Sequence, residues 1–450
     1  MADIGYTAIL VSLVLALYSA VAAVLSVRLR DPRMTAAAGR GVLVIAGLLT
    51  VASGVLIWSF VALDFSVAYV AQNTSRTTPL MYRISGFWGN MNGSLLLWAW
   101  ILSLYSAVAV LTNRRRNVVL MPYVTAVLMG VLAFFLLLLS SAANPFARLP
   151  FPPGDGRGLN PLLEDPGMFI HPPTLYLGYV GLSVPFAFAV AALLTGHLSE
   201  EWITSTRRWA MASWYFMGTG MVIGGWWAYH VLGWGGYWGW DPVENSVLMP
   251  WLVMTAYLHS VMVQERRGML KVWNLALIIL AFGLSLFGTF LTRSGVISSV
   301  HSFARSSLGP VFLLFLGVVT LSAFGLLLAR MDRLEEKHHL ESLLSREAAF
   351  LFNNVALVAA AAAVFIGTTF PMVSEAVKGI RILIGPPYFN QVFVPIALLT
   401  LLLMGIGVHI PWVQEAPSRL GRHLLHALLA AAVAGVVMLV FGIRRPAALT

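Results

Sequence analysis

Residues 6–27 read YTAILVSLVLALYSAVAAVLSV, and Arg28 and Arg30 follow at once. An uncharged run of this length matches the roughly twenty residues that a helix needs to cross a bilayer core. It is too long for the apolar stretch of a cleavable signal, so it reads as a first membrane span. The rest of the chain repeats the pattern. Hydrophobic residues make up 59% of the 450, charged residues 10%, and mean hydropathy is +0.83. Twelve spans are predicted, near 6–27, 41–63, 93–112, 118–139, 174–195, 209–228, 246–264, 272–291, 309–329, 349–366, 390–410 and 423–442. The expected fold class is an all-α polytopic membrane protein with about twelve transmembrane helices, in one helical domain over 1–450.

Charge sets the orientation. The short loops at 28–40, 114–116, 207–208, 266–271, 330–346 and 419–422 carry 18 of the 28 Lys and Arg. Basic loops stay on the cytoplasmic side, so both termini are expected outside. Arg444 and Arg445 are the exception, on the outer side. The net charge of +10 reports topology and does not argue for nucleic acid. The longest inner loop, 330–347, mixes signs and reads as a cytoplasmic charged helical extension. The long loops (64–92, 140–173, 229–245, 292–308 and 367–389) all fall outside, and chemistry is expected there. Cysteine is absent, which excludes disulfides, thiolate ligands and a nucleophilic thiol.

One outer stretch stands apart. Trp226–Trp251 reads WWAYHVLGWGGYWGWDPVENSVLMPW. It holds six of the fifteen Trp, with Asp241 and Glu244 and no Lys or Arg. It is too polar and too glycine-broken for a lipid-spanning helix, and too aromatic for an ordinary solvated loop. Two readings are open. Interfacial belts collect Trp and Tyr in any membrane protein. A slab of indoles is also what a large, flat, apolar ligand needs. A belt spreads its Trp over many helix ends, so the concentration at 226–251 favours an outer ligand-binding loop.

Ten histidines offer candidate ligands. His171 opens HPPTLYLGYVG on the outer side, and Pro172 and Pro173 suit a stiff helix start. His301 lies in the outer segment TRSGVISSVHSF. The two flank the Trp-rich loop in the chain, which suits joint ligation of a metal or a haem iron. Each is equally an interfacial hydrogen-bonding cap. His259 lies inside an apolar run, where an ionisable residue marks function by default. A neutral His bonded to a neighbouring helix is the alternative. His230 lies at the mouth of the Trp-rich loop and orients it. His409, His423 and His426 lie near the inner ends of the last spans.

The segment WGGYWGWDPVEN (234–245) closely resembles the WWD signature of haem-handling membrane proteins. RISGFWGNMNGSLLLW (83–98), MFIHPPTLYLGYVG (168–181), MPWLVMTAYLHS (249–260), LTRSGVISSVHSFA (291–304) and PPYFNQVFVPIALLTLLLMGIG (386–407) extend the likeness in order along the chain. Together they resemble the CcmF/NrfE family, the large cytochrome c haem lyase subunit of system I. The resemblance implies that His171 and His301 are axial ligands of a substrate haem at the outer face. Trp234, Trp238, Trp240 and Asp241 would form the catalytic platform that holds it. His259 would ligate a resident haem b. The reaction implied joins the haem vinyl groups to the CxxCH thiols of an apocytochrome c. The partners implied are that apocytochrome, a haem chaperone of the CcmE type, a thiol-handling protein of the CcmH type, and membrane lipid. The location implied is the inner membrane, with the active site on the periplasmic face.

Relatives usually continue beyond the point that matches Thr450, and no residue here is matched to their second haem b ligand. Haem delivery or export without attachment is the alternative reading. It requires the outer loop but not His259. An export channel requires a polar path through the spans, where charge is scarce. An assembly scaffold requires no haem.

Overall fold

A computed structural model describes residues 1–198, 201–233, 236–296, 299, 308–334, 340, 342, 343, 345–407, 409, 410, 412 and 417–442. These residues form fifteen α-helices. In order they are α1 (Ala2–Leu29), α2 (Pro32–Val61), α3 (Ala68–Asn73), α4 (Leu80–Ser85), α5 (Met91–Asn113), α6 (Met121–Ser140), α7 (Pro166–Gly181) and α8 (Ser183–Thr195). Then follow α9 (Glu201–Val231), α10 (Pro242–Arg267), α11 (Lys271–Ser294), α12 (Gly309–Leu328), α13 (Arg346–Lys378), α14 (Pro386–Gly407) and α15 (Pro417–Val440). The described residues contain no strand, only one isolated bridge between Val67 and Arg148.

The helix starts are written locally. Asp-Pro recurs at 31–32, 165–166 and 241–242, and each time the Asp caps a helix whose first residue is the Pro. The carboxylate takes an N–H that the helix leaves without a partner, and the Pro has no N–H to leave. At α10 the device is a full capping box, in which the Glu244 side chain answers the Asp241 backbone.

Ten spans are long and apolar enough to cross a membrane, with α7 and α8 together forming one of them. The protein is thus a multi-pass membrane protein. Every predicted span overlaps a helix. The two that fall outside the ten are 209–228, within α9, and 423–442, largely within α15. In α9 the Trp, Tyr and Gly content lowers hydropathy even though the helix runs 31 residues. The expected helical loop at 330–347 contains one described 3-10 turn, Met331–Arg333, and Arg346 and Glu347 already belong to α13.

The helices pack in neighbouring pairs: α1 on α2 and α6, α7 on α9, α10 on α11 and α13, and α13 on α14. A Cβ at Gly178 of α7 would stand 2.6 Å from the Met217 backbone nitrogen on α9. The two backbones therefore nearly touch, as small residues allow between membrane helices. Toward the inner ends, Arg267 of α10 pairs with Glu347 of α13 at 2.8 Å, and the carboxylate is buried.

Two outer loops knit together above α5 and α7. Ala68 N donates to Ala147 O, Leu149 N to Ser66 O and Arg157 N to Ala71 O, each at 2.8 Å. Buried Tyr69 takes an N–H from Asn90 at 3.1 Å, and its hydroxyl lies 3.1 Å from the Phe87 carbonyl. Burial pushes this phenol far above its ordinary range, so it stays a donor.

The Trp-rich stretch is not one loop. Trp226 and Trp227 finish α9, and Trp251 lies in α10, stacked on Trp214 of α9. The connection proper is 232–241. The capping box is the reason, because it starts α10 directly after Asp241.

Candidate functional site

A cavity of about 480 Å³ opens where α3, α7, α9, α10 and α11 meet the outer loops. Trp88, Trp227, Trp238, Tyr176, Tyr179 and Leu175 supply much of its apolar wall. His171, Glu244 and Arg293 are the ionisable groups on it besides the tyrosines. An aromatic wall set with convergent polar groups is the usual form of a site for a flat organic ligand.

His171 sits in the second turn of α7, directly before Pro172. Pro172 has no N–H for the Met168 carbonyl one turn back. The Trp88 indole N–H replaces it, donating to Met168 O at 2.9 Å. The carbonyl freed by Pro172 is thus satisfied, and the same bond holds Trp88 at the cavity wall. His171 Nδ1 lies 2.8 Å from the Gly220 carbonyl of α9. A carbonyl only accepts, so Nδ1 carries the proton and Nε2 carries the lone pair. That is the tautomer a metal-ligating imidazole needs. Trp227 flanks the ring, with centroids 5.8 Å apart. A Cβ at Gly224 would fall 2.5 Å from His171 Cε1, so glycine is what lets the imidazole lie against α9.

Of the expected platform residues, Trp238 lines the cavity and Trp240 and Asp241 do not. Trp240 turns away. Its ring stacks on Phe389 of α14 at 5.0 Å, and its Nε1 donates to Asn390 Oδ1 at 2.8 Å. Its φ of 55° is left-handed, which a bulky residue adopts only when its surroundings hold it. Trp238 meets Trp240 edge-on at 5.8 Å. Asp241 accepts from Val243 N at 3.0 Å and from Ser299 Oγ at 2.6 Å. Glu244 Oε2 accepts from Gly239 N at 2.9 Å and Asp241 N at 3.0 Å. Asp241 and Glu244 thus hold the loop that carries Trp238. Trp234 and His301 lie outside the described residues.

His259 stands apart from this cavity, on α10. Its ring stacks on Phe350 of α13 at 5.2 Å, and its Nδ1 lies 3.3 Å from Asn353 Nδ2. Asn353 Oδ1 is buried without a hydrogen-bond partner. With Nδ2 facing the ring, Nδ1 accepts and Nε2 carries the proton, whereas an amide turned over takes Nδ1–H on Oδ1 and gives Nε2 the lone pair that ligation needs. With the amide turned over, the imidazole fits one ligand of a haem. His409 is exposed, and the side chains of His423 and His426 lie outside the described residues.

Sequence reasoning missed Arg293, Trp88 and Asn353. Arg293 stood in the LTRSG segment and read as a loop residue. A cation ending an apolar run of α11 is the signal that was present. Asn353 and Asn354 form an amide pair inside a predicted span, which was equally visible.

A family model described as cytochrome C assembly protein matches residues 88–298. The cytochrome c-type biogenesis protein ccl1 of Rhodobacter capsulatus is 43% identical over 95% of this chain and 65% of its own length. The cytochrome c-type biogenesis protein CcmF of Pseudomonas aeruginosa is 46% identical over 85% of this chain and 58% of its own length. A solved structure titled cytochrome c heme lyase CcmF superposes with a TM-score of 0.80 at 36% identity. It covers 98% of this chain and 66% of that one. The chain thus spans 58–66% of the length of these relatives.

Proposed function

The chain belongs to the CcmF/NrfE family of cytochrome c-type biogenesis proteins, and from that premise we propose that it attaches haem to apocytochrome c. The carrying observation is the indole-walled cavity lined by His171, whose Nδ1–Gly220 bond sets the tautomer that a ligating imidazole needs.

In this reading haem is the substrate. His171 Nε2 binds its iron on one side, and His301 is the second ligand. Trp88, Trp227 and Trp238 fix the plane of the ring. Trp240 and Asp241 position the loop from behind, and Trp234 belongs to the same loop. Each thiol of a CxxCH motif then adds across a vinyl double bond, with carbon taking both sulfur and proton. No group leaves, so the protein's contribution is orientation and exclusion of water. His259 is proposed as a ligand of a resident haem b, with Asn353 as the hydrogen-bond partner of its Nδ1. When bound, such a group supplies one-electron chemistry.

The site lies at the ends opposite the basic loops, which supports a periplasmic face on the inner membrane. The proposed partners are the apocytochrome, a CcmE-type haem chaperone and a CcmH-type thiol-handling protein. The test is to supply haem and a CxxCH apocytochrome to the membrane-embedded chain and take a reduced pyridine haemochrome spectrum of the target. A c-type spectrum that is lost with His171→Ala supports attachment. Haem captured by the chain but left extractable and b-type favours the delivery reading instead.

A further inference from the structure

A second cavity, of about 410 Å³, lies between α6, α8 and α12. Its wall is hydrocarbon. Ser322 is the one polar residue on it among the described residues, and the Ser322 hydroxyl turns back to the Val319 carbonyl at 3.1 Å. Phe186, Val190 and Leu194 face it at four-residue spacing, so it follows one stripe of α8. On α12 it runs from Phe315 to Leu326.

The two ends differ. At one, Phe315 stacks on Phe134 of α6 at 3.7 Å and clasps the two helices together. One turn from Phe134, Gly130 leaves the space beside α12 unfilled, and a Cβ there would meet nothing within 4 Å. Phe315 and Leu326 are eleven residues apart, about 16 Å along a helix. That is about half of the roughly 30 Å hydrocarbon core, the depth of one leaflet.

The other end meets two arginines. Arg330 follows Leu326 by four residues, and its Nε donates to Leu193 O at 3.2 Å, beside Leu194 on the wall. Arg333 reaches the same end of α8, where a Cβ at Gly196 would stand 3.2 Å from its Nη1. Neither takes part in an ion pair among the described residues. An apolar slot one leaflet deep that ends at two cations matches an acyl chain followed by a phosphate. A second helix, about 10 Å across, would need several times this volume.

We propose that the slot holds one acyl chain of an anionic phospholipid, with its phosphate on Arg330 and Arg333. The basic loops put this end on the cytoplasmic side, so the lipid comes from the cytoplasmic leaflet. Basic recesses between membrane helices on that side take lipid headgroups. The inference is independent of the reading of the outer cavity.

The test titrates the detergent-purified full chain with phosphatidylglycerol and with phosphatidylcholine of the same acyl chains, counting bound lipids by native mass spectrometry. The first phosphatidylglycerol is expected to bind about tenfold or more tighter than the first phosphatidylcholine. Arg330→Gln with Arg333→Gln is expected to abolish that preference. Gly130→Leu fills the slot and is expected to weaken the first phosphatidylglycerol about tenfold or more. Equal affinity of the wild type for the two lipids, or binding of neither, overturns the proposal. So does a preference that survives both arginine changes, or a first site untouched by Gly130→Leu. A wild-type dimer that Gly130→Leu dissociates assigns the slot to a second copy and also overturns it. If the double variant does not fold, Arg333→Gln alone decides: this exposed position is expected to lose part of the preference, and an undiminished preference overturns the proposal.

Discussion

His171 and His259 are held in opposite ways. His171 gives its Nδ1 proton to a backbone carbonyl, so the main chain of α9 sets its tautomer. His259 faces a side-chain amide, which serves Nδ1 in either sense by turning over. The first imidazole borders open space, and the second lies under a phenyl ring. An exchangeable cargo requires a ligand that is aimed before the cargo arrives. A resident group, once bound, selects the tautomer it needs. The two neighbourhoods suit those two tasks.

The widest separation is expected from removing each imidazole in turn. His171→Ala should weaken outer haem capture by more than about a hundredfold, because even changes behind a ligand cost 10–100-fold. It should leave the resident b-type haemochrome signal intact, and His259→Ala should do the reverse. If either variant removes both signals, the two sites are not separate. Asn353→Leu should next lower retention of the resident haem by about tenfold or more, with titration of the outer site unchanged. Gly224→Ala places a methyl against the His171 ring. It should lower the thermal midpoint by an amount corresponding to about 1–3 kcal/mol and weaken outer capture, sparing His259. The smallest effect is expected from Asp241→Ala. Loss of the cap should cost about 0.5–2 kcal/mol in thermal unfolding, with haem capture largely kept. Complete loss of capture in a folded Asp241→Ala chain would show that this carboxylate does more than hold a loop.

The membrane architecture was legible because lipid imposes a simple rule on composition. Twelve apolar runs were read, and each overlaps a helix. The limits of the Trp-rich loop were read less well. The ligand-binding loop was drawn at 226–251, overlapping the predicted spans 209–228 and 246–264, yet α9 continues through Trp226 and Trp227 to Val231. The inner limit was available in Asp241-Pro242-x-Glu244, a start signal that density of Trp obscured. His171 was identifiable from its two prolines, but its aim depends on the Gly220 carbonyl 49 residues away. Arg293 depends on Ser94, 199 residues away, and no local pattern encodes such a partner.

Trp240 ties the loop over the cavity to α14 through Phe389 and Asn390, while Trp238, two residues earlier, forms the cavity wall. The roof of the site is therefore anchored to a helix that the described residues leave largely uncovered. A tilt of α14 reaches the aromatic wall through two touching indoles. The aromatic wall thus has its second footing outside the five helices that line the cavity, in a helix that contributes no residue to it.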